Sequence, residues 1–261
     1  MSNRLFRNRS RKRRSRKSGL PPGTLTHTGA PSADPVSIRV FNFDGESVQE
    51  QLVEDAVECA AGSDTSATTW IDVDGVHRVD LVKKLGDAFG IHPLTQEDIL
   101  NMSQRPKAES FDTYIYIVVQ MLRFDEERMN ILSEQVSIIL SNRCVLSFQE
   151  SANGDVWQPI RDRIRHNRGR IRHMGPDYLA CALLDTIVDH YFEVIEKLEE
   201  RAEALEEQLL EGRDEGVMQA VQHLKKEGLF LRHAVWPMRE LVNVLYKEDS
   251  PLIDSETKIY F

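Results

Sequence analysis

Long apolar runs are missing from this 261-residue sequence. The densest apolar segment, Tyr114 to Leu122, contains Gln120 and is followed directly by Arg123. A membrane-spanning helix needs about 18 or more apolar residues in succession. This chain is therefore expected to be soluble, and any membrane role must come from a further segment or a partner.

Cysteine is scarce as well. Cys59, Cys144 and Cys181 lie far apart and form no Cys-x-x-Cys pair. An odd, scattered set argues against a disulfide framework and against a zinc cluster. Three reduced, mostly buried thiols in a reducing compartment are expected instead.

The usual signatures of catalysis are also missing. The sequence has no phosphate loop, no Gly-x-Gly-x-x-Gly and no Gly-x-Ser-x-Gly. Its histidines show no metal-ligand spacing. Asp72-x-Asp74-Gly75 is similar to the start of a calcium loop but lacks the glutamate expected near the twelfth position. We therefore do not expect an enzyme.

Charge is present in quantity but unevenly distributed. Residues 1–19 carry nine Lys or Arg and no acid, whereas the remaining residues hold 24 bases and 42 acids, a balance of −18. An acidic body argues against nucleic-acid binding and suits an affinity for cations. Residues 1–35, basic and then rich in Pro, Gly, Ser and Thr, are predicted to be a disordered tail. That tail is either solvated, in contact with anionic lipid or phosphate, or a transit peptide.

Two halves follow the tail. Residues 36–175 interleave strand and helix patterns, and residues 176–249 read as helix throughout, which predicts an α+β protein with a mixed sheet between helix layers. Strands are predicted at Ser37–Phe43, Thr68–Val73, Thr113–Phe124, Glu134–Leu140 and Cys144–Gln149. Helices are predicted at Glu54–Ala61, Asp80–Phe89, Pro93–Leu100, Asp155–Asn167, Asp177–Glu211 and Asp214–Tyr246.

The last two helices are joined by the turn Gly212-Arg213 and should form a long antiparallel hairpin packed on the α/β portion. Their predicted seams are Leu198, Ala202, Leu205 and Leu209 on the first helix and Val217, Val221, Leu224, Gly228, Leu231 and Val235 on the second. The outer face of the first helix is glutamate-rich. It is either a solvated face or a surface that concentrates divalent cations.

Two carboxylate pairs lie among apolar residues. Glu97 and Asp98 precede Ile99, and Asp185 and Asp189 share one helix face at i, i+4. A buried, unpaired carboxylate is costly, so each pair should have a basic or cationic partner. Spacing leaves open a salt bridge to one of the arginines at 161, 163, 165, 168, 170 and 172, or a metal.

Several ordered segments together resemble the CorA family of magnesium channels. In the first half they are Trp70-Ile-Asp-Val-Asp-Gly75, His92-Pro-Leu-Thr-Gln-Glu-Asp-Ile-Leu-Asn101, Gln104-Arg-Pro-Lys107, Ser133-Glu-Gln-Val-Ser137, Cys144-Val-Leu-Ser-Phe-Gln149 and Arg163-Ile-Arg-His-Asn-Arg-Gly169. In the helical half they are Asp177-Tyr-Leu179, Asp185-x-x-Val-Asp189, Tyr191-Phe192 and Val235-Trp-Pro-Met-Arg239.

This resemblance implies a homopentamer with an α/β/α funnel domain on the cytoplasmic side of the inner membrane. Divalent cations, magnesium with cobalt or others as substitutes, bind between neighbouring subunits and hold the pore closed. Asp98 matches the principal regulatory carboxylate, and Glu97 and Asp185 match a second site. Asp189 is added from its helical spacing.

The sequence departs from the family pattern at its end. Residues 250–261 match only the start of the family's stalk helix, so we expect a stalk and two membrane helices with a Gly-Met-Asn loop to follow Phe261. A stalk aspartate that faces Asp98 from the next subunit would also lie beyond this point. Alone, the chain should be monomeric or weakly oligomeric, bind divalent cations weakly and conduct no ions.

Three alternatives remain at this stage. One is the cytoplasmic domain of a ZntB-like zinc transporter, although zinc prefers His and Cys ligands and none cluster here. Another is a soluble α/β enzyme that uses Glu97, Asp98 or Asp185 as a general acid or base. The third is an interaction module whose helical hairpin binds a partner protein.

Overall fold

The structure, a computed structural model, describes residues 19, 21–29, 32, 35–54, 67–150, 156–212 and 216–261. The helix predicted at Glu54–Ala61, beyond its first residue, and the basic run before residue 19 lie outside these ranges. Within them, no helix carries an apolar stretch long enough to cross a bilayer.

Seven strands and six helices follow one another in these ranges. The strands are β1 (Ser37–Phe43), β2 (Val48–Val53), β3 (Thr68–Asp74), β4 (Lys107–Ser110), β5 (Tyr114–Asp125), β6 (Asn130–Ser141) and β7 (Cys144–Gln149). The helices are α1 (Val79–Ala88), α2 (Pro93–Ile99), α3 (Gln158–Arg165), α4 (Pro176–Leu210), α5 (Val217–Lys247) and α6 (Ser255–Lys258).

All seven strands form one mixed sheet in the order β2-β1-β3-β7-β6-β5-β4. Only β3 and β7 pair in parallel, and every other neighbouring pair is antiparallel. The central strands β3 and β7 are buried along their whole length, as expected where helices cover both faces of a sheet. The edge strands β2 and β4 are short and polar and are not among the predicted strands.

Each face of the sheet has its own apolar core. On one face Trp70 and Trp157 pack with residues of α3, α4 and α5. On the other face Leu85 of α1, Ile99 of α2 and Phe148 of β7 belong to one cluster of buried residues. The predicted fold class, a mixed sheet between helix layers with a long helical hairpin, is confirmed.

The hairpin buries only part of the predicted seams. On α4 the predicted Leu198 and Leu205 are buried, but Ala202 and Leu209 are exposed. On α5 the predicted Val221, Gly228 and Val235 are exposed. The residues of α5 that are buried are Val217, Glu227, Ala234, Met238, Leu241 and Leu245. α5 contacts β4 and β6 as well as α4. From Glu227 to Leu245 its buried positions step by seven, four, three and four, so the heptad spacing is kept, but the stripe lies one residue away from the predicted Gly228 and Val235.

Residues 21–29 pack against α2, although the sequence predicts them as part of the tail. The Thr28 amide donates to the carbonyl of Leu100 at 3.1 Å, and the Thr28 hydroxyl accepts from the Met102 amide at 3.0 Å. Thr28 is buried. The ordered α/β portion therefore includes a segment that precedes residue 36.

Residues 250–261 fold back onto the start of α4. Leu252 and Ile253 are buried in the core, and the Asp254 amide donates to the buried Asp177 carboxylate at 2.9 Å. Pro251 lies in a turn, and α6 begins only at Ser255. The helix start expected at residues 250 and 251 is therefore shifted towards the C-terminus.

Candidate functional site

α2 presents the first pair of candidate carboxylates. The helix begins at Pro93, and the His92 ring nitrogen accepts from the Leu94 amide at 3.2 Å as a cap. Ile99 then points into the core. Glu97 and Asp98 are left half-buried at the helix surface.

Both carboxylate oxygens of Asp98 have partners. Gln104 Nε2 donates to one oxygen at 2.5 Å, and Lys107 Nζ lies 2.8 Å from the other. The Lys107 ammonium also contacts Glu109 at 2.7 Å. Burial alone would lower the pKa of Lys107, but the hydrogen bonds to Asp98 and Glu109 outweigh it and raise that pKa. Asp98 is thus paired with a lysine and hydrogen-bonded to a glutamine amide.

Glu97 is covered by the N-terminal segment. The Gly23 amide donates to Glu97 Oε2 at 2.7 Å. Gly23 has a φ of 81°, which favours glycine, and the Pro93 side chain lies beside it. The chain before α2 therefore contacts a candidate ligand directly.

The second pair of candidates lies on α4. Asp185 and Asp189 are both exposed. Partial desolvation of the carboxylate by its surroundings, and then the charge of Asp189, raise the pKa of Asp185, and the attraction of Arg163 opposes them. The open salt-bridge alternative is not realised as a close ion pair: among the described residues no arginine lies within 4.0 Å of the Asp185 carboxylate, and Arg161 pairs with Asp72.

Replacing Asp185 with asparagine should leave the metal-free melting temperature at neutral pH equal to or above that of wild type. The pKa of Asp185 is higher in the folded chain than in the unfolded chain. Ionisation of Asp185 therefore favours the unfolded chain once the pH rises above the ordinary pKa of 3.8. Below the ordinary value of 3.8 the carboxyl is protonated in both states and the difference should vanish. Melting curves of both proteins across this range check the prediction, and a neutral-pH loss of stability would contradict it.

The two pairs lie on opposite faces of the sheet. α2 packs on the core that contains Phe148, and α4 packs on the core that contains Trp70. In the described part of the chain, no three His, Cys, Asp or Glu side chains come together closely enough to hold a metal. Within one chain, Glu97 therefore lies beside Asp98, and Asp185 lies one helical turn from Asp189, but the two pairs are separated by the sheet. Single carboxylates beside solvent fit a hydrated hard cation, which needs only one or two protein oxygens.

The outer face of α4 is acidic, as predicted. Glu200, Glu203, Glu206 and Glu207 are exposed and surround a shallow depression near the end of the helix. Lys197 contacts Glu126 and Glu200. A solvated helix face accounts for this arrangement without a ligand.

The partners of Asp98 are not evident from the sequence. Lys107 belongs to the family-like segment Gln104-Arg-Pro-Lys107, and that segment by itself does not indicate a contact with Asp98. The signal that could have found it is the Lys107-x-Glu109 spacing directly after Pro106, which puts the lysine and the glutamate on one face of a strand.

Comparison with known proteins decides the family. The profile of the family described as CorA-like Mg2+ transporter protein matches residues 65–261. The chain belongs to this family. The CorA-family chain is also 45% identical over 250 residues to the cobalt/magnesium transport protein CorA of Thermotoga maritima, and the alignment covers 96% of this chain and 71% of that protein.

Solved structures agree on the fold of this CorA-family chain. The soluble domain of CorA from Methanocaldococcus jannaschii matches with a TM-score of 0.68 at 19% identity, covering 88% of this chain and 86% of that one. The ZntB cytoplasmic domain from Vibrio parahaemolyticus matches with a TM-score of 0.64 at 13% identity, covering 85% of each. These likenesses show a shared fold.

Proposed function

We propose that this chain is the divalent-cation-sensing domain of a CorA-type magnesium and cobalt channel, on the cytoplasmic side of the membrane. In this proposal it works within a homopentamer whose membrane helices follow the described residues. Mg2+, or Co2+ in its place, binds between neighbouring subunits and favours the closed pore. The 45% identity to a protein named as a cobalt/magnesium transporter supports the ion class.

One observation carries the sensing role: the two carboxylate pairs lie on helices that cover opposite faces of one sheet. A site that uses both pairs must take Glu97 and Asp98 from one copy and Asp185, with Asp189, from another. A cation there would tie two subunits together. Its loss would leave like charges facing each other, so that occupancy and subunit contact are coupled.

The chemistry of these side chains suits a weak sensor. Magnesium prefers oxygen ligands and retains several waters, so one carboxylate from each copy suffices. Such a sparse site should bind on the order of 10⁻⁴–10⁻³ M, like the weakest calcium modules. No residue of this chain is assigned to chemistry, and Glu97, Asp98 and Asp185 act here as ligands rather than as acids or bases.

Zinc transport is the competing function, since the chain shares its fold with a ZntB domain. Zinc would need His or Cys ligands, and the residues that the structure describes form no such cluster. Stabilisation by zinc at concentrations far below those needed for magnesium would favour this alternative.

Replacing Asp98 and Asp185 together with asparagine should abolish stabilisation by metal. Wild type should gain about 1.4 kcal/mol of unfolding free energy at a tenfold excess of Mg2+ over Kd, because the metal binds only the folded chain. The variant should gain none. Its metal-free melting temperature should stay near that of wild type, because relief of the repulsion between Asp185 and Asp189 offsets the loss of the partly exposed ion pair between Asp98 and Lys107. Thermal melts with and without millimolar Mg2+ measure both.

A matched control carries the same change of charge elsewhere. Asp80→Asn with Asp249→Asn removes two exposed carboxylates, and this protein should keep the full metal-induced shift. If the Asp98/Asp185 variant keeps the shift too, these residues are not the sensor. If it unfolds without metal, the carboxylates are structural.

A further inference from the structure

A lysine sits where a cation would bind Asp98. Lys107 Nζ is 2.8 Å from Asp98 Oδ2 and 2.7 Å from Glu109 Oε1, so one ammonium group bridges two carboxylates. Lys107 and Glu109 are two residues apart on β4 and therefore share one face of the strand, which is the face that Asp98 approaches.

We propose that Lys107 is a built-in competing cation, which divalent metal must displace from Asp98 and which then remains paired with Glu109. This inference rests on the proposed role of Asp98 as a metal ligand. In this proposal, Lys107 and Glu109 set the metal concentration at which a divalent ion replaces the lysine on Asp98.

Electrostatics explains why the lysine must move. A divalent ion on Asp98 would lie within a few ångströms of the ammonium group, and like charges at that separation repel. Glu109 already contacts Lys107 in the metal-free chain. When metal displaces it, the Lys107 ammonium therefore loses its contact with Asp98 and keeps its contact with Glu109.

The geometry of Asp98 also leaves room for exchange. A carboxylate offers about four lone-pair positions, and Gln104 and Lys107 occupy one position on each oxygen. The side chains of Asp98 and Lys107 are 25% and 27% exposed, so water and ions can reach the pair. Gln104 is a neutral donor and can stay in place while the lysine is exchanged for metal.

Lys107→Gln should therefore bind metal more tightly. Calorimetric titration of the full chain with MgCl2 or CoCl2 at low ionic strength should give a midpoint about two- to fivefold lower than wild type, the range expected for removing a partly exposed ion pair. Lys107→Arg, which keeps the charge, should stay near wild type. Lys83→Gln, which breaks the ion pair with Asp87 on α1, is the matched control and should change nothing.

Glu109 provides the test in the opposite direction. Glu109→Gln should raise the metal midpoint, because Lys107 loses its second partner and stays on Asp98. In a Lys107→Gln background the same substitution should have little effect, giving a non-additive double-mutant cycle. If Glu109 acted only through its own charge, it would weaken metal binding equally in both backgrounds, which would overturn the proposal.

The outcomes separate this inference from the proposed function. If Asp98→Asn binds metal as well as wild type, Asp98 is not a ligand and both proposals fall. If Asp98→Asn loses binding but Lys107→Gln binds no more tightly than wild type, Asp98 remains the ligand and Lys107 is only a structural ion pair on an edge strand.

Discussion

Replacing Asp72 with alanine should cost about 3–5 kcal/mol of unfolding free energy, because it leaves a buried arginine charge without its carboxylate. The Asp72 carboxylate pairs with Arg161, and their side chains are 0% and 4% exposed. Ser147 donates to the other Asp72 oxygen at 2.7 Å, and Trp70 Nε1 donates to Ser147 at 2.9 Å. This network joins β3 and β7 to α3 through the core.

Urea denaturation of Asp72→Ala and of Asp80→Ala tests this prediction. Asp80 forms an ion pair with Arg78 at 2.7 Å, but both side chains are more than half exposed, and such pairs contribute about 0–1 kcal/mol. Because the free energy of unfolding of a single domain is only about 5–15 kcal/mol, the loss caused by Asp72→Ala should be a large and measurable fraction of it. Equal, small losses in the two variants would show that the Arg161 charge is solvated or otherwise neutralised.

Replacing Leu241 with alanine should cost about 2–5 kcal/mol, through lost burial and the cavity left behind. Leu241 is 1% exposed in the core beneath α5. Val235→Ala, one of the residues predicted for the hairpin seam, should cost far less because Val235 is 37% exposed. Chemical denaturation compares the two. A larger loss at Val235 would mean that the predicted seam through Gly228 and Val235, and not the observed stripe, is buried.

The interior strands and helices were predictable because burial leaves a pattern in the sequence. β3, β5, β6 and β7 are rich in apolar residues with turns at their ends, and the helix predicted at Asp80–Phe89 is α1. The edge strands were not predictable. β2 is polar and mostly exposed, and β4 has only four residues. Neither strand therefore has the alternating apolar pattern from which a strand is predicted.

The site shows the same division. Glu97 and Asp98 stand out in the sequence because acids lie beside Ile99, a core residue. Their partners cannot be predicted from the sequence. Lys107 contacts Asp98 from the far side of a loop, and Gly23 contacts Glu97 from a segment whose composition is typical of a disordered tail. The separation of Asp98 from Asp185 depends on which sheet face each helix covers, and that is fixed by strand order rather than by local pattern.

The central claim is that Asp98 binds divalent cation. Equilibrium dialysis of Co2+ against the wild-type chain and against Asp98→Asn tests it most directly. Wild type should bind with a midpoint on the order of 10⁻⁴–10⁻³ M, and Asp98→Asn, folded to the same extent, should need about tenfold more cobalt because it loses a charged ligand. Superimposable binding curves for the two proteins would contradict the account.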